Sequence, residues 1–142
     1  MNIARRAHLV VAWLFVAGVV VQVFLAGLGV FDDPRTFITH ATWGYMLEGL
    51  PILMLVLAAI GRLGRRQVLF AIGLFAMFLL QSVFVVLRVD LPMVAALHPV
   101  NGFAILFVGI VAAREAWAAR SGVAVAPASP RLEPSAATGD GR

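Results

Sequence analysis

The sequence predicts an all-α integral membrane protein, a four-helix bundle with up-down-up-down connections built from a duplicated helical hairpin. Three observations predict it. The chain of 142 residues is 62% hydrophobic and 13% charged, whereas a soluble domain is nearer half apolar and a quarter charged. Four apolar runs are each long enough to span a bilayer, Ala7–Phe31, Phe37–Ile60, Val68–Leu87 and Leu91–Ala113. Two stretches, 22–44 and 81–102, share one polar pattern.

Each run covers about 30 Å of hydrocarbon at about 1.5 Å per residue, and a helix satisfies its own backbone groups there. The first run is too long for a secretory signal and lacks a clear cleavage site, so it reads as a span. His8, beside Arg5 and Arg6 at its start, reads as an interfacial residue. The second follows Asp32-x-Pro34, a helix-start signal in which proline loses no hydrogen bond and a carboxylate faces the positive helix end. It contains Pro51, which should kink it, and Glu48, a carboxylate deep in a span. The Glu48 carboxyl suits either a proton relay or a hydrogen bond to a neighbouring span. The third run is apolar apart from Gln81 and Ser82, and the fourth follows Asp90-x-Pro92. Residues 1–120 therefore form the bundle, and the Ala/Pro/Ser/Gly-rich residues 121–142 read as a disordered cytoplasmic tail.

The cations are all arginines. Arg5, Arg6, Arg62, Arg65, Arg66, Arg114 and Arg120 flank one set of span ends, while Arg35 and Arg88 stand alone at the other. The positive-inside rule places both termini in the cytoplasm, N-in and C-in. Arginine in place of lysine points to a GC-rich bacterial genome, hence a bacterial inner membrane. The basic pI follows from this bias and is no footprint of nucleic acid. Absent cysteine excludes disulfides, thiolate metal sites and haem thioethers.

The repeat carries the chemistry. "QVFLAGLGVFDDPRTFITHATWG" and "QSVFVVLRVDLPMVAALHPVNG" both run Gln, Asp-x-Pro, five residues, then His-x-x-x-Gly. Asp32, Pro34, His40 and Gly44 match Asp90, Pro92, His98 and Gly102 without a gap, and Gln22 matches Gln81 after one deletion. Both histidine-bearing helices descend from the same face, so His40 and His98 should lie at equal depth. In an up-down-up-down bundle they sit on diagonal partners, about 12–14 Å apart between axes. Two inward imidazoles across that gap suit a flat disc ligated on both faces. Gly44 and Gly102, one turn deeper on the same faces, would clear a porphyrin edge. The expected cofactor is haem b with His40 and His98 as iron ligands. Arg35 and Arg88 lie close to where propionates would emerge and suit either pairing with them or a plain interfacial role. Gln22, Gln81 and Asn101 either bridge helices or orient an axial histidine. The alternatives are histidines that hydrogen-bond across the bundle without cofactor, and a metal-ion or quinone site.

In layout the chain resembles the four-helix halves of haem A synthase, and through them other bis-histidine b-type cytochromes. That resemblance implies paired histidines on the second and fourth helices holding haem near the outer face. Haem A synthase has a glutamate shortly before its second-helix histidine and an arginine after it. Here those places read "FITH" and "ATWG", so haem A chemistry is not expected. Through "FLAGLGVF", "HATWG" and "LHPVNG", residues 10–112 are also similar to an uncharacterised family of small four-span bacterial membrane proteins. That likeness brings no activity.

The functional expectation is electron transfer, or the haem-bearing part of a membrane redox complex, because two histidines saturate iron. No enzymatic reaction is assigned. The lipid bilayer, a quinone or redox protein, and a second copy of the chain are the partners it allows. The rivals are a cofactor-free structural or accessory membrane protein and, built on Glu48, a proton-coupled carrier. The topology is testable: a reporter fused after Arg120 should read cytoplasmic, and one inserted between Asp33 and Pro34 external. The opposite readout would reverse the orientation.

Overall fold

The computed structural model describes residues 3–120, and the tail expected at 121–142 lies outside the described residues. The helices are α1 (Ile3–Phe31), α2 (Thr36–Gly61), α3 (Arg65–Val86), the short α4 (Pro92–Ala95) and α5 (Leu97–Arg120). Four helical segments are long and apolar enough to cross a membrane, the fourth running from Pro92 through α5. The chain is a multi-pass membrane protein. Linkers 32–35, 62–64 and 87–91 are too short for anything but antiparallel neighbours. Accordingly α1 packs on α2 and α5, and α3 packs on the same two. Helices α2 and α5 are diagonal, as are α1 and α3.

The fourth span departs from the expected continuous helix. It breaks at Ala96, between α4 and α5. Pro99 has no amide hydrogen to give the Ala95 carbonyl, and its ring crowds that carbonyl. The matching position in the first copy is Ala41, and α2 runs through it unbroken. Between α2 and α3 the turn closes with Arg62 at φ 49° and with Leu63 N–H donating to the Ala58 carbonyl over 3.0 Å. Arg5 reaches over from α1, donating to the Gly61 carbonyl at 2.9 Å and the Arg62 carbonyl at 3.1 Å. It thereby caps the negative end of α2. Arg66 pairs with Glu115 between α3 and α5.

The buried side chains obey the repeat. Equivalent positions are 59 apart on the first helix of each hairpin (22 to 81) and 58 apart on the second (40 to 98). Under those offsets Ala12 pairs with Ala71, Phe15 with Leu74, Val19 with Phe78, Leu47 with Ile105 and Ala58 with Ala116, all of them buried. The duplication thus extends through the arginine-rich half, where the two sequences show no obvious likeness. The centre is filled across the α1–α3 diagonal by Phe15 and Phe78, with ring centroids 5.8 Å apart, edge to face. Gly18 lets α1 approach Leu47 of α2, where a Cβ would collide.

His8 is not interfacial. It is 0% exposed. Its Nδ1 donates to the Met54 carbonyl at 3.0 Å, and its Nε2 lies 3.2 Å from the Gln67 side-chain oxygen. The Gln67 amide nitrogen in turn faces the Ala112 carbonyl at 3.5 Å. These four positions are again repeat equivalents, His8 with Gln67 and Met54 with Ala112, so one hydrogen-bonded layer ties all four helices. Its neighbour Arg6 is exposed, and position along the chain alone did not distinguish the two. His8→Ala should cost about 1–3 kcal/mol of stability, through loss of the bond to Met54 and of the contact that packs Gln67. Arg6→Ala should stay within about 0.5 kcal/mol. Thermal unfolding in detergent micelles measures both.

Candidate functional site

The four helices stop packing tightly towards the end opposite the arginine cluster. Beyond Val19, Leu47, Phe78 and Ile105 most side chains are exposed or half-buried, as with Phe31, Ile38, Val86, Met93 and Val100. His40 and His98 stand at this open end, both half-buried. Their ring centroids lie 6.3 Å apart with the planes tilted by 58°. They bridge the α2–α5 diagonal, at right angles in the bundle section to the Phe15–Phe78 pair below.

Each ring is aimed by a backbone carbonyl of the adjacent helix. His40 Nδ1 donates to the Gln22 carbonyl at 3.0 Å, and His98 Nδ1 to the Gln81 carbonyl at 3.4 Å. With Nδ1 holding the proton, Nε2 of a neutral ring keeps the lone pair. The bonds one turn deeper follow the same frame. Trp43 Nε1 donates to the Gly18 carbonyl and Asn101 Nδ2 to the Met77 carbonyl, each at 2.9 Å. Trp43 and Asn101 are equivalent positions, as are Gly18 and Met77. An indole and an amide thus do one job in the two copies. Trp43 thus ties α2 to α1, a role that its alignment with Asn101 in the repeat signals in the sequence.

The two copies then part. Asn101 Nδ2 also donates to Gln81 Oε1 at 2.7 Å and so pins that side chain. Trp43 offers Gln22 nothing of the kind. The Gln22 amide instead turns to its histidine, with Nε2 3.3 Å from His40 Nε2, and its Oε1 is buried without a partner. Gly44 and Gly102 open onto these glutamines. A Cβ at Gly44 would stand 2.9 Å from Gln22 Nε2, and one at Gly102 would stand 3.4 Å from Gln81 Nε2. The space left by each glycine is taken by an amide in this structure. Phe37 stacks edge-on to His40, its centroid 6.1 Å away.

The structure therefore gathers His40, His98, Gln22, Gln81, Asn101, Gly44 and Gly102 into one layer. Arg35 and Arg88 are placed otherwise. Arg35 is exposed and paired with Asp33 at 3.0 Å, and Arg88, in the linker after α3, donates to the Val85 carbonyl at 3.0 Å. Neither is hydrogen-bonded to the histidine layer. An exposed ion pair of this kind is worth about 0–1 kcal/mol, so Arg35 is held only weakly where it is. Glu48 is half-buried farther along α2. Among the described residues no three His, Cys, Asp or Glu side chains form a metal-ion cluster.

Residues 22–87 match the model of a family of unknown function, DUF6220. The match takes in Gln22, His40 and Gln81 and ends before His98. No curated protein and no solved structure matches the chain, and the expected resemblance to haem A synthase gains no support from a relative. The site itself makes a prediction. Gly44→Val should drive the Gln22 amide off His40 and lower the melting temperature more than Gly102→Val, since its clearance is the smaller. Equal losses would show that neither glycine is there to admit its glutamine.

Proposed function

We propose that this membrane protein binds haem b between His40 and His98 and carries electrons in a bacterial inner membrane, with both termini cytoplasmic. The observation that carries the reading is the histidine pair. Two metal–nitrogen bonds of about 2.0–2.1 Å, with about 1.1 Å more from each nitrogen to its ring centre, call for centroids roughly 6.3 Å apart. The rings stand at 6.3 Å. The carbonyls of Gln22 and Gln81 hold Nδ1 of each ring, leaving Nε2 as the ligating atom on both sides. The donor set agrees as well. Two imidazoles without a third ligand suit a macrocycle that brings four nitrogens of its own, and fall short of what a bare zinc ion requires. The orphaned Gln22 Oε1 marks a polar position with a bond still to make.

His40 and His98 would hold the haem, and the chemistry it would supply there is one-electron transfer. The chain's own residues orient the rings, exclude competing ligands from below with the Phe15–Phe78 layer, and leave the site open toward one membrane face. Arg35 and Arg88 lie on linkers or helix ends at that face, where guanidinium groups suit carboxylates. A quinone or a redox protein is the partner this geometry serves.

The competing reading is a cofactor-free accessory membrane protein. It draws on the bond between Gln22 and His40, which already occupies one Nε2. Absorption spectra of the purified full chain, oxidised and dithionite-reduced, separate the two. Haem ligation gives a low-spin, six-coordinate spectrum with a sharp α-band, and alanine at either His40 or His98 abolishes that signature. Protein free of haem after expression with added haem precursor, with only a loss of stability in the variants, would leave the accessory reading standing. Replacing Arg35 and Arg88 together by Gln should lower the reduction potential or weaken haem retention, because positive charge near propionates favours the reduced state. An unchanged potential and haem content would remove both from the site.

A further inference from the structure

The repeat makes the two ligand positions equivalent in sequence, and the hydrogen bonds make them unequal. His98 has a neighbour that is tied away from it: the Gln81 side chain is held by Asn101 over 2.7 Å. His40 has a neighbour that is loose. Trp43 stands in the place of Asn101 and spends its only donor on the Gly18 carbonyl. The Gln22 amide is left to donate to His40 Nε2 at 3.3 Å, the lone pair a metal would need. Gly44 provides the room for that amide, which a Cβ would approach to 2.9 Å. The price is a buried carbonyl oxygen with no donor.

We propose that His98 is the fixed axial ligand and His40 an exchangeable one, with Gln22 as the positioning residue that competes for the His40 lone pair. The inference rests on the haem reading above. With haem bound, His40 would be the ligand released, its Nε2 taken by the Gln22 amide, and a small neutral ligand of reduced iron such as carbon monoxide would replace it, one nitrogen–iron bond exchanged for one carbon–iron bond with no change of oxidation state. An amide hydrogen bond favours the released histidine by about fivefold in this equilibrium. The inner core keeps α1 and α2 in register while only side chains move.

The test uses the full-length protein in detergent, with and without haem. In the haem-free protein the Nε2 nitrogen resonances of His40 and His98 should differ, and Gln22→Leu or Gln22→Met should abolish the difference. Both variants retain the backbone carbonyl that holds His40. In the reduced, haem-loaded protein, either variant should weaken carbon monoxide binding about fivefold, because His40 is no longer drawn off the iron. Arg6→Ala, exposed at the opposite end of the bundle, should leave carbon monoxide affinity unchanged. His40→Ala should retain five-coordinate haem and bind carbon monoxide more tightly, whereas His98→Ala should lose haem. Matching resonances in the haem-free protein, or equal spectra for the two alanine variants, overturn the inequality and leave bis-histidine ligation intact. A wild type that takes up no haem overturns both.

Discussion

A polar group inside a bilayer has to find its partner within the protein, because lipid offers none. In this chain almost every such partner comes from the repeat. His8 and Gln67 meet across the bundle and each turns to a carbonyl of its own hairpin. His40 and His98 meet at the other end and each takes a carbonyl from the helix before it. Trp43 and Asn101 add a matching pair of bonds between them. A register shift of one residue within either hairpin would strand that hairpin's polar groups together. That shared requirement fixes the helices more specifically than apolar packing, since hydrocarbon side chains face hydrocarbon lipid with little preference.

Much of this was legible in the sequence. The four spans, their order and the diagonal placement of the histidines follow from run length, short linkers and the Asp-x-Pro…His-x-x-x-Gly pattern. The equal depth of His40 and His98 follows from matching distances to Pro34 and Pro92. Three features were not legible. His8 looked interfacial because its neighbours are arginines, yet the partner that buries it, Gln67, lies 59 residues away. The break at Ala96 depends on Pro99 standing where the first copy has Ala41, a difference visible only once the copies are aligned. The use of Gly44 and Gly102 depends on which way two glutamine side chains turn, and residue spacing carries no information about rotamers.

The divergence of the copies falls where a duplicated protein can tolerate it. Positions in the arginine-rich half remain paired in burial, for example Ala12 with Ala71 and Ala58 with Ala116. Around the histidines the copies exchange an indole for an amide and an alanine for a proline. A symmetrical frame thus carries two unlike ligand environments, one with its glutamine pinned and one with its glutamine free. Symmetry supplies the opposed geometry of the rings, and its local loss supplies a difference between them.

The tight packing at one end and the open packing at the other have a mechanical meaning. With the Phe15–Phe78 contact and the His8–Gln67 layer acting as a pivot, the two hairpins resemble the arms of tweezers. A small rocking of one hairpin against the other leaves the pivot nearly still and is magnified at the tips. The tips carry His40 and His98. The separation of the two rings is therefore the distance that such a rocking changes most.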